Sequence, residues 1–164
     1  MPAGPRWQRP RREHPGFASH RGTELFSSYL ETHLAEDEIL TSVRYPTLAR
    51  QVRWGFSELK FRGCDFPIVI AAAVLEMRGD LCTSARIAVG GASSTPIRVL
   101  DAETNLVGRP VDDEAIAHAA ALSEAAAEPM HDLHAPADYR KRAAAIQVTS
   151  ALRMAMNGRN SDEH

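Results

Sequence analysis

Ile68-Val69-Ile70-Ala71-Ala72-Ala73-Val74-Leu75-Glu76-Met77, then Gly79-Asp80, then Cys82-Thr83-Ser84-Ala85-Arg86-Ile87-Ala88-Val89, is the stretch whose reading decides the fold. The first run is opened by Pro67 and is almost wholly apolar. The second alternates, which assigns Cys82, Ser84, Arg86 and Ala88 to one face and Thr83, Ala85, Ile87 and Val89 to the other. Two such runs around a short Gly-containing turn predict an antiparallel hairpin. A helix is the rival reading of 68–77, because alanine is a good helix former. The adjacent turn and the alternating second run decide for strands, and the small Ala71-Ala72-Ala73 surface suits close packing by a helix.

Upstream, Thr23 is placed to cap a short helix carrying Leu25, Phe26, Tyr29, Leu30 and Leu34 on one side. The acidic turn Glu36-Asp37-Glu38 leads into Ile39-Leu40-Thr41-Ser42-Val43-Arg44-Tyr45, whose β-branched and aromatic content predicts a strand ending at Pro46. Val52 to Leu59 is a second extended piece, followed by an irregular segment from Lys60 to Asp65. Downstream of Gly90-Gly91 the pattern becomes helical. One helix is expected from Thr95-Pro96 through Leu106, closed by Gly108, and another from Asp112-Asp113-Glu114 to Glu128. A third runs from near Pro136 towards Asn157-Gly158. Strands first and helices afterwards, with no βαβ alternation and no internal repeat, argue an α+β fold.

A length of 164 residues is that of one ordinary domain. A hydrophobic fraction of 44% and a charged fraction of 24% exclude collagen-like, disordered and disulfide-scaffold classes. The net charge of -2 creates no field favouring nucleic acid or anionic membrane, so neither is expected as a partner. Residues 1–22 hold four prolines and five arginines with almost no aliphatic residue, and are expected to be a disordered leader. Residues 23–158 are expected to form the domain and 159–164 a flexible tail. Two cysteines, Cys64 and Cys82, fit isolated thiols in a reducing compartment. Neither a secretory h-region nor a membrane-length apolar run is present, and the expected location is cytoplasmic.

Motifs with intrinsic chemistry are sparse. Gly90-Gly91-Ala92-Ser93-Ser94 joins a strand to a helix but lacks the lysine of a phosphate loop, so a tight turn relieving backbone crowding is the better reading. His131-Asp132-Leu133-His134 has too few ligands for a metal site and fits a loop that caps the next helix. No Gly-x-Ser-x-Gly elbow is present. Glu103, Glu114, Glu124 and Glu128 read as solvated helix faces or caps. What remains is Glu58-Leu59-Lys60-Phe61-Arg62-Gly63-Cys64-Asp65, four charges between two apolar strands, which points to a loop facing a polar ligand.

Gly55-Phe56-Ser57-Glu58-Leu59 through Arg62-Gly63-Cys64-Asp65-Phe66, followed by the Ala-rich strand, resembles the C-terminal domain of the FAD-binding (medium) subunit of molybdenum hydroxylases. These are the xanthine dehydrogenase and aerobic carbon monoxide dehydrogenase relatives. Further landmarks follow in order: Asp37-Glu38-Ile39-Leu40 to Pro46, then Ala85 to Gly91 with Thr95-Pro96-Ile97-Arg98. Leu106-Val107-Gly108-Arg109-Pro110 and Asp132-Leu133-His134-Ala135 with Ala137-Asp138-Tyr139-Arg140 complete the set.

The resemblance implies a small three-stranded antiparallel sheet packed on a three-helix bundle, in agreement with the α+β reading. It implies a role in electron transfer from iron–sulfur clusters through FAD to an acceptor, and no catalysis by this chain alone. The implied partners are an FAD-binding N-terminal domain and the iron–sulfur and molybdenum subunits; a homo-oligomer is an open alternative. In the family the loop matching Glu58 to Asp65 closes over the flavin edge, which makes Glu58, Lys60, Arg62 and Asp65 the cofactor-binding candidates, with Phe61 beside them. Some relatives carry a lysine where this chain has Ser57. The flavin's glycine loops lie in the family's N-terminal domain, which residues 1–22 do not resemble, so FAD is expected not to stay on this chain alone. Two competing readings are a non-redox interaction module and a mutual Arg62–Asp65 pair that merely pins the loop. If the loop faces a neighbouring domain, an exposed apolar or mixed patch is expected beside it.

Overall fold

The computed structural model describes residues 20–45, 47–48 and 52–158; the leader up to residue 19, Pro46 and the 159–164 tail lie outside the described residues. The chain divides into two compact units, Met1–Leu48 and Ala49–His164.

In the first unit a single helical turn, α1 (Gly22–Leu25), runs into β1 (Phe26–Ser28), which pairs antiparallel with β2 (Glu31–Thr32). The helix expected to continue through Leu34 is therefore cut short. Leu30 sits in the connecting turn at φ 57, a left-handed conformation that breaks a helix and reverses the chain. Ile39 to Tyr45, expected to be a strand, has no ladder among the described residues. None of the described residues of this unit is buried.

The second unit holds a four-stranded antiparallel sheet in the order β3-β4-β5-β6, formed by β3 (Val52–Leu59), β4 (Val69–Arg78), β5 (Leu81–Gly90) and β6 (Ile97–Arg98). The α+β class and the central hairpin hold. The expected strand count does not, because this sheet has four strands and the first unit adds a separate pair. The fourth strand occupies what reads as the start of a helix at Thr95-Pro96. Ile97 pairs with Val89, Val99 N–H donates to Ile87 O at 3.0 Å, and α2 (Leu100–Leu106) begins only afterwards. The expected end holds: Gly108, at φ 84, donates its N–H to Cys82 O at 2.8 Å. Two longer helices follow, α3 (Asp113–Ala126) and α4 (Ala137–Asn157). Asp112 caps α3, its carboxylate accepting from Ala115 N–H at 2.8 Å.

Alternation places Val69, Ala71, Ala73 and Leu75 of β4 in the core, while Ile70, Ala72, Val74 and Glu76 take the opposite face. Only two of the three alanines in the central run therefore meet the helices. On β5 the expected phase fails at one end. Met77 pairs with Cys82 but Glu76 pairs with Ser84, so Thr83 is an extra residue in a bulge. The bulge brings Cys82 onto the core face with Ala85, Ile87 and Val89, which strict alternation denies it. Burial in turn raises the Cys82 thiol above its ordinary value.

The helical layer lies on one face of the sheet, and small residues set its distance. On α4 the buried positions Ala143, Ala144, Gln147, Val148, Ala151, Leu152 and Ala155 recur at helical spacing. A Cβ on Gly55 of β3 would fall 1.9 Å from Ala151 O and 2.8 Å from Ala155 N, so strand backbone lies directly against helix backbone there.

Glu103 departs from the expected solvated helix face. It is 8% exposed, and its carboxylate accepts from Ile87 N–H at 2.9 Å and from both Nε and Nη2 of Arg98. The two-residue β6 ends its ladder at Arg98, which leaves Ile87 N–H on β5 without a strand partner; the Glu103 side chain takes that place. The Arg98 guanidinium is held further towards its charged form by the hydrogen bonds it donates to Glu103.

Candidate functional site

The segment singled out by its charge density is the connection between β3 and β4. Ile68 N–H donates to Leu59 O at 2.7 Å, which ties the last residue of β3 to the residue just before β4 at the base of the loop. A turn within it is closed by Asp65 N–H to Arg62 O at 3.1 Å. All residues from Phe61 to Phe66 are exposed, with Phe61 at 76% and Phe66 at 96%.

The four candidate residues separate into two kinds. Lys60 Nζ pairs with Glu58 Oε1 at 2.7 Å, two residues apart at the rim of the sheet. Arg62 and Asp65 share the backbone turn, but neither side chain enters an ion pair among the described residues, so mutual pinning is not what the structure shows. Glu58 continues the side of β3 that carries Trp54 and Phe56, which are 57% and 43% exposed. Trp54 and Phe56 on the strand and Phe61 and Phe66 in the loop are all exposed apolar residues. Ser57 points the other way: its hydroxyl donates to Gln147 Oε1 on α4 at 2.6 Å.

The loop's second anchor went unread in the sequence. Arg140, in the first turns of α4, is 9% exposed. Its Nη1 donates to Ile68 O and, at 3.1 Å, to Gly91 O, while Nη2 donates to Asp132 Oδ2 at 2.7 Å. One guanidinium therefore joins the start of β4, the end of β5 and the loop before α4. Gly91, at φ 77, accommodates this arrangement, since a Cβ there would meet Ile68 O at 2.3 Å. The Gly90-Gly91 turn accordingly relieves backbone crowding, as read. Only the spacing of a lone arginine on an otherwise alanine-rich helix face signalled Arg140, and such a pattern names no partner.

Asp132 also shapes the loop ahead of α4. Its Oδ1 accepts from His134 N–H and Ala135 N–H, each at 2.9 Å, which folds the loop on itself; the expected capping of the next helix does not occur, because α4 starts at Ala137 behind Pro136 with no side-chain cap. Among the described residues no group of three or more His, Cys, Asp or Glu is placed to hold a metal ion. The backbone donors, Ala135 first, together with the nearby Arg140, hold the Asp132 carboxyl below its ordinary value. A group depressed in the folded state stabilises the fold above its unfolded pKa, and that contribution is lost as pH falls through the folded value. Asp132→Asn is therefore expected to lower stability at neutral pH and to narrow the gap to wild type in acid below the ordinary carboxylate range. Urea midpoints measured across that range check this; a gap constant with pH would contradict it.

Residues 54–155 match the family described as the CO dehydrogenase flavoprotein C-terminal domain. The chain belongs to this family. It is 32% identical over 124 residues to the carbon monoxide dehydrogenase medium chain of Afipia carboxidovorans, covering 76% of this chain and 43% of that protein. It is 38% identical over 120 residues to the nicotine 6-hydroxylase medium subunit of Paenarthrobacter nicotinovorans, covering 71% of this chain and 41% of the relative. Among solved structures, carbon monoxide dehydrogenase from Hydrogenophaga pseudoflava superposes with a TM-score of 0.77 at 30% identity, covering 82% of this chain and 47% of that one. Quinoline 2-oxidoreductase from Pseudomonas putida 86 gives 0.76 at 32% identity over the same shares of the two chains. The chain spans less than half the length of these relatives. Coverage of 82% leaves 18% of 164 residues, about 30, outside the match. That is fewer than the 53 residues preceding residue 54, so the shared stretch reaches upstream of the family domain. Among the described residues no helix is long and apolar enough to cross a membrane.

Proposed function

We propose that the second unit of this chain forms one wall of the FAD site in a molybdenum-hydroxylase flavoprotein, on the electron path between iron–sulfur clusters and an external acceptor. The observation that carries this reading is the β3–β4 loop. Its base is hydrogen-bonded shut and buttressed through Ile68 by the buried Arg140. Its tip nevertheless presents a cation, an anion and two exposed aromatic rings, and neither charge enters an ion pair among the described residues. A loop that served only to connect two strands would gain nothing from this combination.

The chemistry of the tip suits the rim of a flat heteroaromatic group. Arg62 offers donors to carbonyl or phosphate oxygens, Asp65 offers an acceptor to ring N–H, and Phe61 and Phe66 offer apolar area that excludes water. When bound, FAD would accept electrons from the clusters and release them to the acceptor. The part of this chain is to cover the flavin edge and to set the charge near it, which tunes its affinity for electrons. Lys60, neutralised by Glu58, supports the loop's rim. The whole assembly would further include iron–sulfur and molybdenum subunits, a reading that the relatives' medium-chain names support by placing them in multi-subunit proteins, and its proposed location is the cytoplasm.

The test is calorimetric titration of the 164-residue chain into an FAD-loaded medium-chain domain. Arg62→Glu and Asp65→Arg are expected to weaken binding by about tenfold or more, while each shifts folding stability by less than about 0.5 kcal/mol. Absence of binding by wild type, or reversals that unfold the domain without altering affinity, would overturn the proposal. The 164-residue chain alone is expected to emerge from gel filtration without flavin absorbance, because the loop offers a rim rather than an enclosing pocket. A stoichiometric flavin band surviving that step would contradict this.

A further inference from the structure

Among the described residues β3 stands at the edge of the four-stranded sheet, with β4 on one side and no strand on the other. Backbone groups along an edge strand point alternately towards the ladder and away from it. Leu59 O accepts from Ile68 N–H on the β4 side, so Phe56, three residues earlier, turns its N–H outward. The group that meets it is not a carbonyl. Phe56 N–H donates to the thioether sulfur of Met154, in the last turn of α4, at 3.5 Å. The sulfur of Met156, two residues on, accepts from Arg53 Nη1 at 3.8 Å. Ala155 lies between them, and a Cβ on Gly55 would come within 2.8 Å of its N. The end of α4 thus grips the edge strand by main-chain contact at Gly55 and by two sulfur acceptors whose donors, Arg53 and Phe56, flank that glycine.

The two sulfurs differ in access. Met154 is 48% exposed, whereas Met156, like Met77, is packed against the core. Exposure makes Met154 the point at which an oxidant reaches this joint. We infer that Met154 is a reversible oxidation site, through which hydrogen peroxide releases the edge of β3 from α4. In that step the sulfur lone pair attacks one peroxide oxygen. The S–O bond forms as the O–O bond breaks, the sulfur is oxidised by two electrons, and the second oxygen takes the proton of the first and leaves as water. The sulfur of a sulfoxide carries partial positive charge and no longer accepts from an N–H. Its oxygen would fit between sulfur and Phe56 N–H only if the sulfur drew back by the length of the new bond, while Ala155 holds the helix backbone against Gly55. The polar sulfoxide turns to water instead, and Phe56 N–H loses its acceptor. The inference is independent of the flavoprotein reading, since it needs only α4, β3 and the oxidant.

The test treats the 164-residue chain with dilute hydrogen peroxide, maps oxygen uptake by peptide mass, and follows single amides by NMR hydrogen exchange. Met154 is expected to take up oxygen ahead of Met77 and Met156. Exchange of the Phe56 amide is expected to quicken by about three- to tenfold, the range for losing one modest hydrogen bond. Methionine sulfoxide reductase is expected to reverse both changes. Met154→Leu keeps the apolar bulk without the acceptor, so its Phe56 amide is expected to exchange quickly from the outset and to ignore peroxide. Met130, which is 53% exposed in the loop before α4, serves as the internal reference for an accessible methionine. A Met154 that stays reduced while Met130 is oxidised would overturn the inference. So would an oxidised Met154 with Phe56 exchange unchanged or slowed, the latter by showing that the sulfoxide oxygen replaces the sulfur as acceptor. A peroxide response of Phe56 that survives in Met154→Leu would overturn it too, by placing the sensitive group elsewhere.

Discussion

Gly55→Ala is expected to cost about 3 kcal/mol or more of folding stability, at or beyond the upper end for overpacking a core, and Gly55→Leu is expected to leave no folded domain. A single methyl group at residue 55 would lie 1.9 Å from Ala151 O and 2.8 Å from Ala155 N. Both are main-chain atoms of α4, so no rotamer change relieves the overlap; the helix must lift from the sheet. Lifting it would also open the packing of Ala144, Val148 and Leu152, all fully buried. Against a total stability of roughly 5–15 kcal/mol for a domain of this kind, that loss is large. Urea unfolding of Gly55→Ala measures it, and a change below about 0.5 kcal/mol, the range of neutral surface substitutions, would show that the helix and strand are not held this closely.

Arg140→Leu is expected to destabilise the domain by about 3–5 kcal/mol, the range for removing one partner of a buried charged network. Ile68 O loses its donor in the interior, Gly91 O loses one at the exposed end of β5, and Asp132 loses its cation. Each buried acceptor left unpaired costs about 1–3 kcal/mol. The native site is itself imperfect, for Nε of Arg140 is buried with no hydrogen-bond partner among the described residues, which offsets part of the gain. Arg140→Lys is expected to recover less than half of the loss. A single ammonium cannot reproduce the planar fork that addresses two carbonyls and a carboxylate at once. Because Ile68 O lies at the foot of the β3–β4 loop, Arg140→Lys should also speed amide exchange between residues 61 and 68, as hydrogen-exchange mass spectrometry would report. Full recovery of stability by lysine would mean that charge alone, and not the fork, holds the three elements.

How far the sequence reached is visible in particular residues. The hairpin 69–78/81–90 was legible because its signals are local: an apolar run, a Gly-Asp turn and an alternating return strand. The helices α3 and α4 were legible for the same reason, through the acidic start at Asp112 and the proline before Ala137. The candidate loop could be singled out by composition, and its resemblance to the medium-subunit family could be recognised from motif order, before any coordinates.

What sequence alone determined was thus the α+β class, the order of the central elements, the family and the loop most worth testing, since each depends on residues close together along the chain. Only the tertiary structure decided the rest. It showed that Cys82 belongs to the core, because a bulge at Thr83 shifts the phase of a strand without leaving a mark in composition. It turned Glu103 from a surface residue into a stand-in for a missing strand, because the N–H that it satisfies lies sixteen residues away. It separated Glu58–Lys60, which neutralise each other, from Arg62 and Asp65, which do not. It also revealed Arg140 as the joint between two strands and the loop before α4. A hydrogen bond between residues 140 and 68 has no local trace, because the requirement it meets, an unpaired carbonyl in a dry interior, exists only once the chain has folded.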